Sequence, residues 1–228
     1  MSRNNFLLIL SLLTIVSLAI PLLNSVNAVQ GDDMKSIIIV SGYSGYTTHE
    51  LDKASSFRDH LLDSCSEDDI VYLTDNGMSG SDGEATTSHV EDAFSWLINS
   101  CDSNTNVAIY IMDHAQMINN QPNFRFEDGT ISASTIDNWL DQVTSSEMTV
   151  ILNGEKSALC GPALDGSSRD VICSMRSDQS YCPDNFDITN SLDDPTADTN
   201  NDGIVSYVEA YENEKDLLEA SGQVPVLY

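Results

Sequence analysis

The segment Asp198–Glu209, D-T-N-N-D-G-I-V-S-Y-V-E, spaces its oxygen donors as a twelve-residue cation loop does. Asp198, Asn200 and Asp202 stand at positions one, three and five, Gly203 at six, the Ile204 carbonyl at seven, Ser206 at nine and Glu209 at twelve. Hard oxygen ligands in this pattern select Ca2+, which is the expected cofactor. The glycine permits the sharp turn, and Glu209 offers two oxygens from the first turn of an exiting helix. The alternative is an acidic turn in an acidic protein. Pro195 weakens any entering helix, so the expected dissociation constant is on the order of 10⁻⁴–10⁻³ M, the extracellular range.

Two further groups with chemistry end apolar runs. Val107–Met112 leads into Asp113-His114, and Thr149–Leu152 leads into N-G-E-K-S, which contains Glu155 and Ser157. A buried strand delivers polar groups to its end in this way, and in open α/β sheets ligands sit beyond the carboxyl ends of the strands. His114 is then a candidate base, while Glu155 and Ser157 are candidate partners at the neighbouring strand end. A carboxylate beside an imidazole is expected to form an ion pair with it.

These positions require an alternating α/β chain. Ser36–Val40, Ile70–Leu73, Val107–Met112, Thr149–Leu152 and Arg169–Ser174 read as strands. Helices are expected from Thr47 and Glu50, at capping-box spacing, to about Ser64, from Ser88 and Glu91 to about Asn99, from Ser132 to Val143, and from Ser206 to Leu218. Gln116–Gly129, with Pro122 inside it, reads as a long irregular loop over the site. Strands alternating with helices imply right-handed crossovers and a doubly wound, mainly parallel sheet of about five to six strands.

The N-terminus has the order of a secretory signal: Arg3, an apolar run from Phe6 to Leu23, and a small-residue exit at Val26-Asn27-Ala28. The expected division is residues 1–28 as signal peptide, 29–185 as the α/β domain, and 186–228 as the cation-loop segment with a final helix packed on that domain. Cleavage predicts a secreted or extracellular protein, and retention of the run as an anchor predicts a cell-surface one. Nine basic against 36 acidic residues give a formal net charge of -27. Such a surface repels phosphate and excludes nucleic acid and anionic membrane as partners, and it either attracts cations or keeps the protein soluble. Five cysteines in an exported chain predict disulfides. Cys65 with Cys101 is the first choice, because each ends a helix and precedes a strand, and Cys160 with Cys182 is the second.

From Ser36 to about Ser177 the order of elements and the two strand ends resemble the caspase-like fold of legumain-type cysteine peptidases, which include small microbial relatives with a calcium loop. In that family a His-Gly pair follows the third strand, and Asp113-His114-Ala115 is similar to it with alanine for glycine. The family's fourth strand ends in Cys-x-Ser-Gly. Here Glu155-Lys156-Ser157-Ala158 aligns without a gap, with glutamate in place of the nucleophilic cysteine. The resemblance therefore implies a peptidase scaffold without its thiolate, acting by binding a peptide or protein ligand, because a carboxylate lacks the soft nucleophilicity that attack on a peptide carbonyl requires. The competing reading is an active endopeptidase with a relocated nucleophile, Ser157 or Cys160.

Overall fold

The computed structural model describes residues 33–41, 48–75, 80–179, 185–219 and 221–228. The expected signal segment, the Thr47 cap and Cys182 lie outside these residues.

Continuous aliphatic runs are stable as strands only when both faces are covered, and the runs of this chain are covered on both. Strands β1 (Met34–Val40), β2 (Ile70–Thr74), β4 (Asn106–Met112), β8 (Glu147–Asn153) and β9 (Asp170–Cys173) pair in parallel, with the two-residue β3 (Gly83–Glu84) beside β2. A final two-residue strand, β10 (Val226–Leu227), runs antiparallel to β9. The sheet order is β10-β9-β8-β4-β1-β2-β3, seven strands where about five to six were expected. The additions are the two shortest strands, too brief to show a period of two. This α/β architecture with a mostly parallel sheet is compatible with a caspase-like fold.

Side chains alternate across the sheet. Ile37, Ile39, Ile109, Ile111, Val150 and Leu152 face a cluster closed by α2 (Thr87–Ser100), α3 (Ala133–Leu140) and the short α4 (Gly161–Leu164). Ile38, Val40, Ala108, Tyr110, Met112 and Ile151 face the opposite cluster, closed by α1 (Thr48–Leu62), α5 (Ile188–Leu192) and α6 (Tyr207–Glu219). Helices on both faces make the sheet doubly wound. Tyr110 stacks on Phe57 of α1 at 5.0 Å between ring centroids, and Phe94 of α2 meets Trp139 of α3 at 5.2 Å. Each such fully buried aliphatic or aromatic side chain contributes roughly 1.5–3 kcal/mol of transfer free energy. No helix of the described residues is long and apolar enough to cross a membrane.

Gln116–Gly129 is not an irregular loop. Residues 116–132 form a three-stranded antiparallel meander of β5 (Gln116–Ile118), β6 (Gln121–Phe126) and β7 (Gly129–Ser132). The turn signal is Asn119-Asn120, both at positive φ (51° and 62°), the backbone that two-residue hairpin turns demand and that asparagine tolerates. Phe124 and Phe126 anchor the meander in the α2–α3 core. The start of α2 moves by a residue or two, since Thr86, rather than Ser88, caps it by accepting the His89 N–H, while α3 begins where expected, with Ser132 as its cap accepting the Thr135 N–H.

The first expected disulfide is not formed. Cys65, Cys101, Cys160 and Cys173 are free thiols. Cys65 packs under α1 and Cys101 under α2, so the two share a rim of the sheet but lie against opposite faces of it.

Candidate functional site

Register sets the geometry at the carboxyl rim. Strands β4 and β8 pair Met112 with Asn153, and the pairing continues past both strands through Asp113 N–H to Asn153 C=O (3.0 Å) and Ala115 N–H to Glu155 C=O (3.2 Å). Continuing that register by two residues sets His114 beside Glu155, so the two sequence-predicted residues are neighbours. The register contact runs through the backbone and leaves the His114 and Glu155 side chains at adjacent strand ends. Both residues are half-buried.

Gly154 makes the close approach possible. Its φ is +144°, and a Cβ built there would lie 2.2 Å from the Asp113 carbonyl oxygen. Any side chain at this position would force the two strand ends apart. Beyond it Lys156 takes a left-handed conformation (φ 57°) and leads into a single 3₁₀ turn, Ser157–Leu159.

Asp113, not singled out from the sequence as a site residue, organises the rim. Its carboxylate is buried and accepts the N–H groups of His114 (2.6 Å) and of Arg125, which clamps β6 of the meander to the end of β4. Burial holds the Asp113 carboxyl well above the usual carboxylate range, the two backbone donors oppose that shift, and nearby Asp75 adds to it. The Ser41 hydroxyl donates to the Arg125 carbonyl at 3.3 Å and fastens the same strand to the end of β1. The signal for Asp113 was present, since a carboxylate closing an apolar strand has to find donors.

The candidate nucleophiles are placed elsewhere. Ser157 is buried, its hydroxyl oxygen accepts the Met175 N–H (3.0 Å), and its hydroxyl lies 3.2 Å from the Met175 carbonyl, so it ties the 3₁₀ turn to the end of β9. Cys160 is fully buried in the α2–α3 core, and burial pushes its thiol far above the ordinary range. Among the described residues the rim therefore presents an imidazole and carboxylates. It can exchange protons and hold cations or N–H donors, and among the described residues no exposed cysteine stands there.

The twelve-residue loop forms the turns its sequence predicts but is closed by protein donors. Asn201 (φ 60°) and Gly203 (φ 95°) supply the left-handed positions. Asp198 accepts the N–H groups of Asp202 (3.2 Å) and Gly203 (3.0 Å), Asn200 that of Asp202 (2.8 Å), and Asp202 that of Ile204 (2.9 Å). Glu209 bridges the ends of the loop. One of its oxygens accepts from Thr199 N–H, Thr199 hydroxyl and Asn200 N–H, and the other from Ser206 N–H and hydroxyl, all within 2.9–3.1 Å. The Ser206 N–H foremost among these donors brings the Glu209 carboxyl down to about 2. No group of three His, Cys, Asp or Glu side chains converges as a metal-holding set among the described residues. The donor chemistry, all oxygen from Asp198, Asn200, Asp202, Ile204, Ser206 and Glu209, nevertheless fits a hard cation.

No model of a known protein family matches the chain, and a search of curated proteins finds no match.

Proposed function

We propose that this protein is an exported, calcium-binding member of the legumain-type, caspase-like peptidases whose peptidase site is degenerate, and that it acts by binding a peptide or protein ligand at the rim around His114. The observation that carries the reading is the placement of Glu155 beside His114 at the end of β8, where the resemblance puts a nucleophilic cysteine. The parallel sheet and the two adjacent strand ends are compatible with that scaffold. A carboxylate at this position cannot carry an acyl group through the thioester step of a cysteine peptidase. The buried settings of Ser157 and Cys160 weigh against the alternative, an active endopeptidase with a relocated nucleophile.

Calcium belongs to the Asp198–Glu209 loop. When bound, the ion would neutralise the Asp198, Asp202 and Glu209 charges and fix the entry into α6. The left-handed turns at Asn201 and Gly203 and the all-oxygen donor set support this reading, and Glu209 would exchange its internal donors for the metal. The function is tested by incubating purified protein with a library of Asn- and Asp-containing peptides and following both cleavage and retention. Retention without cleavage, lost on substitution at His114 and Glu155, is the expected result. Cleavage inhibited by a thiol-directed reagent would establish the endopeptidase instead.

A further inference from the structure

A cavity of about 270 Å³ opens at the end of the sheet opposite His114, where β1, β4, β8 and β9 begin. Its lining is mostly apolar, with Met34 and Val107 from the sheet, Leu192 from α5, and Tyr207 and Val208 from the first turn of α6, and Asn106 and Thr149 add polar groups from the strand starts. Three carboxylates border it, Glu147 at the start of β8, Asp170 at the start of β9 and Asp202 on the facing loop, all exposed. Among the described residues that line it there is no lysine or arginine. The histidine at its edge, His60, directs Nδ1 to Asp193 at 2.9 Å. The carboxylates come from three separate elements and do not converge into a metal-holding group. They form a negative border around a mostly apolar interior rather than a chelate.

We infer that this cavity is a binding site for a small organic cation with an apolar body, an aryl- or alkylammonium. The volume accommodates roughly one ring and its side arm, at the small end of ligand pockets. The apolar walls favour that body by transfer from water. The carboxylates of Glu147 and Asp170, which stay free when calcium engages Asp202, lie within a surface of net charge -27, lower the free energy of a cation at the mouth and repel an anion of the same shape. The assignment rests neither on the peptidase resemblance nor on calcium.

The test is a calorimetric titration of the full chain with phenethylammonium, phenethyl alcohol and phenylacetate, with calcium present throughout so that the state of the loop is constant. The ammonium is expected to bind saturably, the neutral alcohol roughly fivefold more weakly and the carboxylate not at all, the ratio that a few partly solvated charge contacts supply. The double variant Glu147→Gln, Asp170→Asn alters two exposed side chains and should bring ammonium binding down to the level of the alcohol. Val208→Trp should fill the cavity and remove binding of both, while a melting curve confirms that each variant is folded. Absence of saturable ammonium binding at about 10 mM, far weaker than a functional small-molecule site needs, would overturn the assignment. Equal binding of the three probes, or binding indifferent to all three substitutions in folded protein, would overturn it as well.

Discussion

The carbonyl oxygen of Asp113 and the α-carbon of Gly154 approach so closely that a single added methyl group at residue 154 would lie 2.2 Å from that oxygen. This contact lets the chain leaving β8 follow the chain leaving β4, and so keeps His114 and Glu155 side by side. Gly154→Ala combines an unfavourable φ of +144° with a backbone clash. It should destabilise the fold by about 2–3 kcal/mol, read as a lower urea midpoint. An unchanged midpoint would mean that the two strand ends separate at little cost.

Restoring the missing thiol alone should not restore proteolysis. Ala115 and Ala158 are buried at the two positions where the resembled family has glycine, and on the proposed reading a β-carbon there would hinder close approach of a substrate backbone. Glu155→Cys is expected to leave Asn- and Asp-containing peptides intact, and the triple variant with Ala115→Gly and Ala158→Gly to cleave them faster. Rapid cleavage by the single variant would show that only the nucleophile is lacking.

Calcium should stabilise the protein by mass action, by roughly 2.7 kcal/mol at one hundred times the dissociation constant, with magnesium less effective because it holds its waters. Five protein donors already satisfy Glu209, so the ion displaces existing hydrogen bonds and binds weakly. Glu209→Gln should remove most of the calcium-dependent rise in melting temperature. Identical melting curves in millimolar calcium and in chelator, with no heat of binding, would identify the loop as an acidic turn.

The same residue sets a pH dependence in chelator. The folded carboxyl of Glu209 lies near 2, below the ordinary value of 4.5. A depressed carboxyl contributes stability that is present above the unfolded value and lost as the folded carboxyl protonates. The stability difference between wild type and Glu209→Gln should therefore be constant above about pH 5 and shrink as the pH falls towards 2. A difference that does not change with pH would show that the loop hydrogen bonds carry no net free energy.

Thiol reactivity should sort the cysteines by depth. Burial raises the thiols of the half-buried Cys65 and Cys101, while Cys160 and Cys173 lie in the core. In a Cys182→Ser background a disulfide reagent should label Cys65 and Cys101 in native protein, faster as the pH rises, and Cys160 and Cys173 only on unfolding. Equal native labelling of Cys160 would show that the segment around α4 opens readily.

The sequence by itself determined the features that are local. Apolar runs such as Val107–Met112 have nowhere to go but a strand covered on both faces, so the parallel sheet and the placing of His114 and Glu155 at strand ends followed from composition along the chain. The spacing from Asp198 to Glu209 likewise announced the loop's turns, because left-handed positions need residues such as Asn201 and Gly203. What only the tertiary structure decided depends on which groups meet in space. The Asn119-Asn120 hairpin turned an apparent loop into a meander, because Phe124 and Phe126 find a core to enter. Cys65 and Cys101 fell on opposite faces of one sheet, which no spacing along the chain reveals. Glu209 satisfied its carboxylate with loop N–H and hydroxyl donors, and Asp113 with the N–H of Arg125 twelve residues on, since a charged group takes the donors that folding brings within reach.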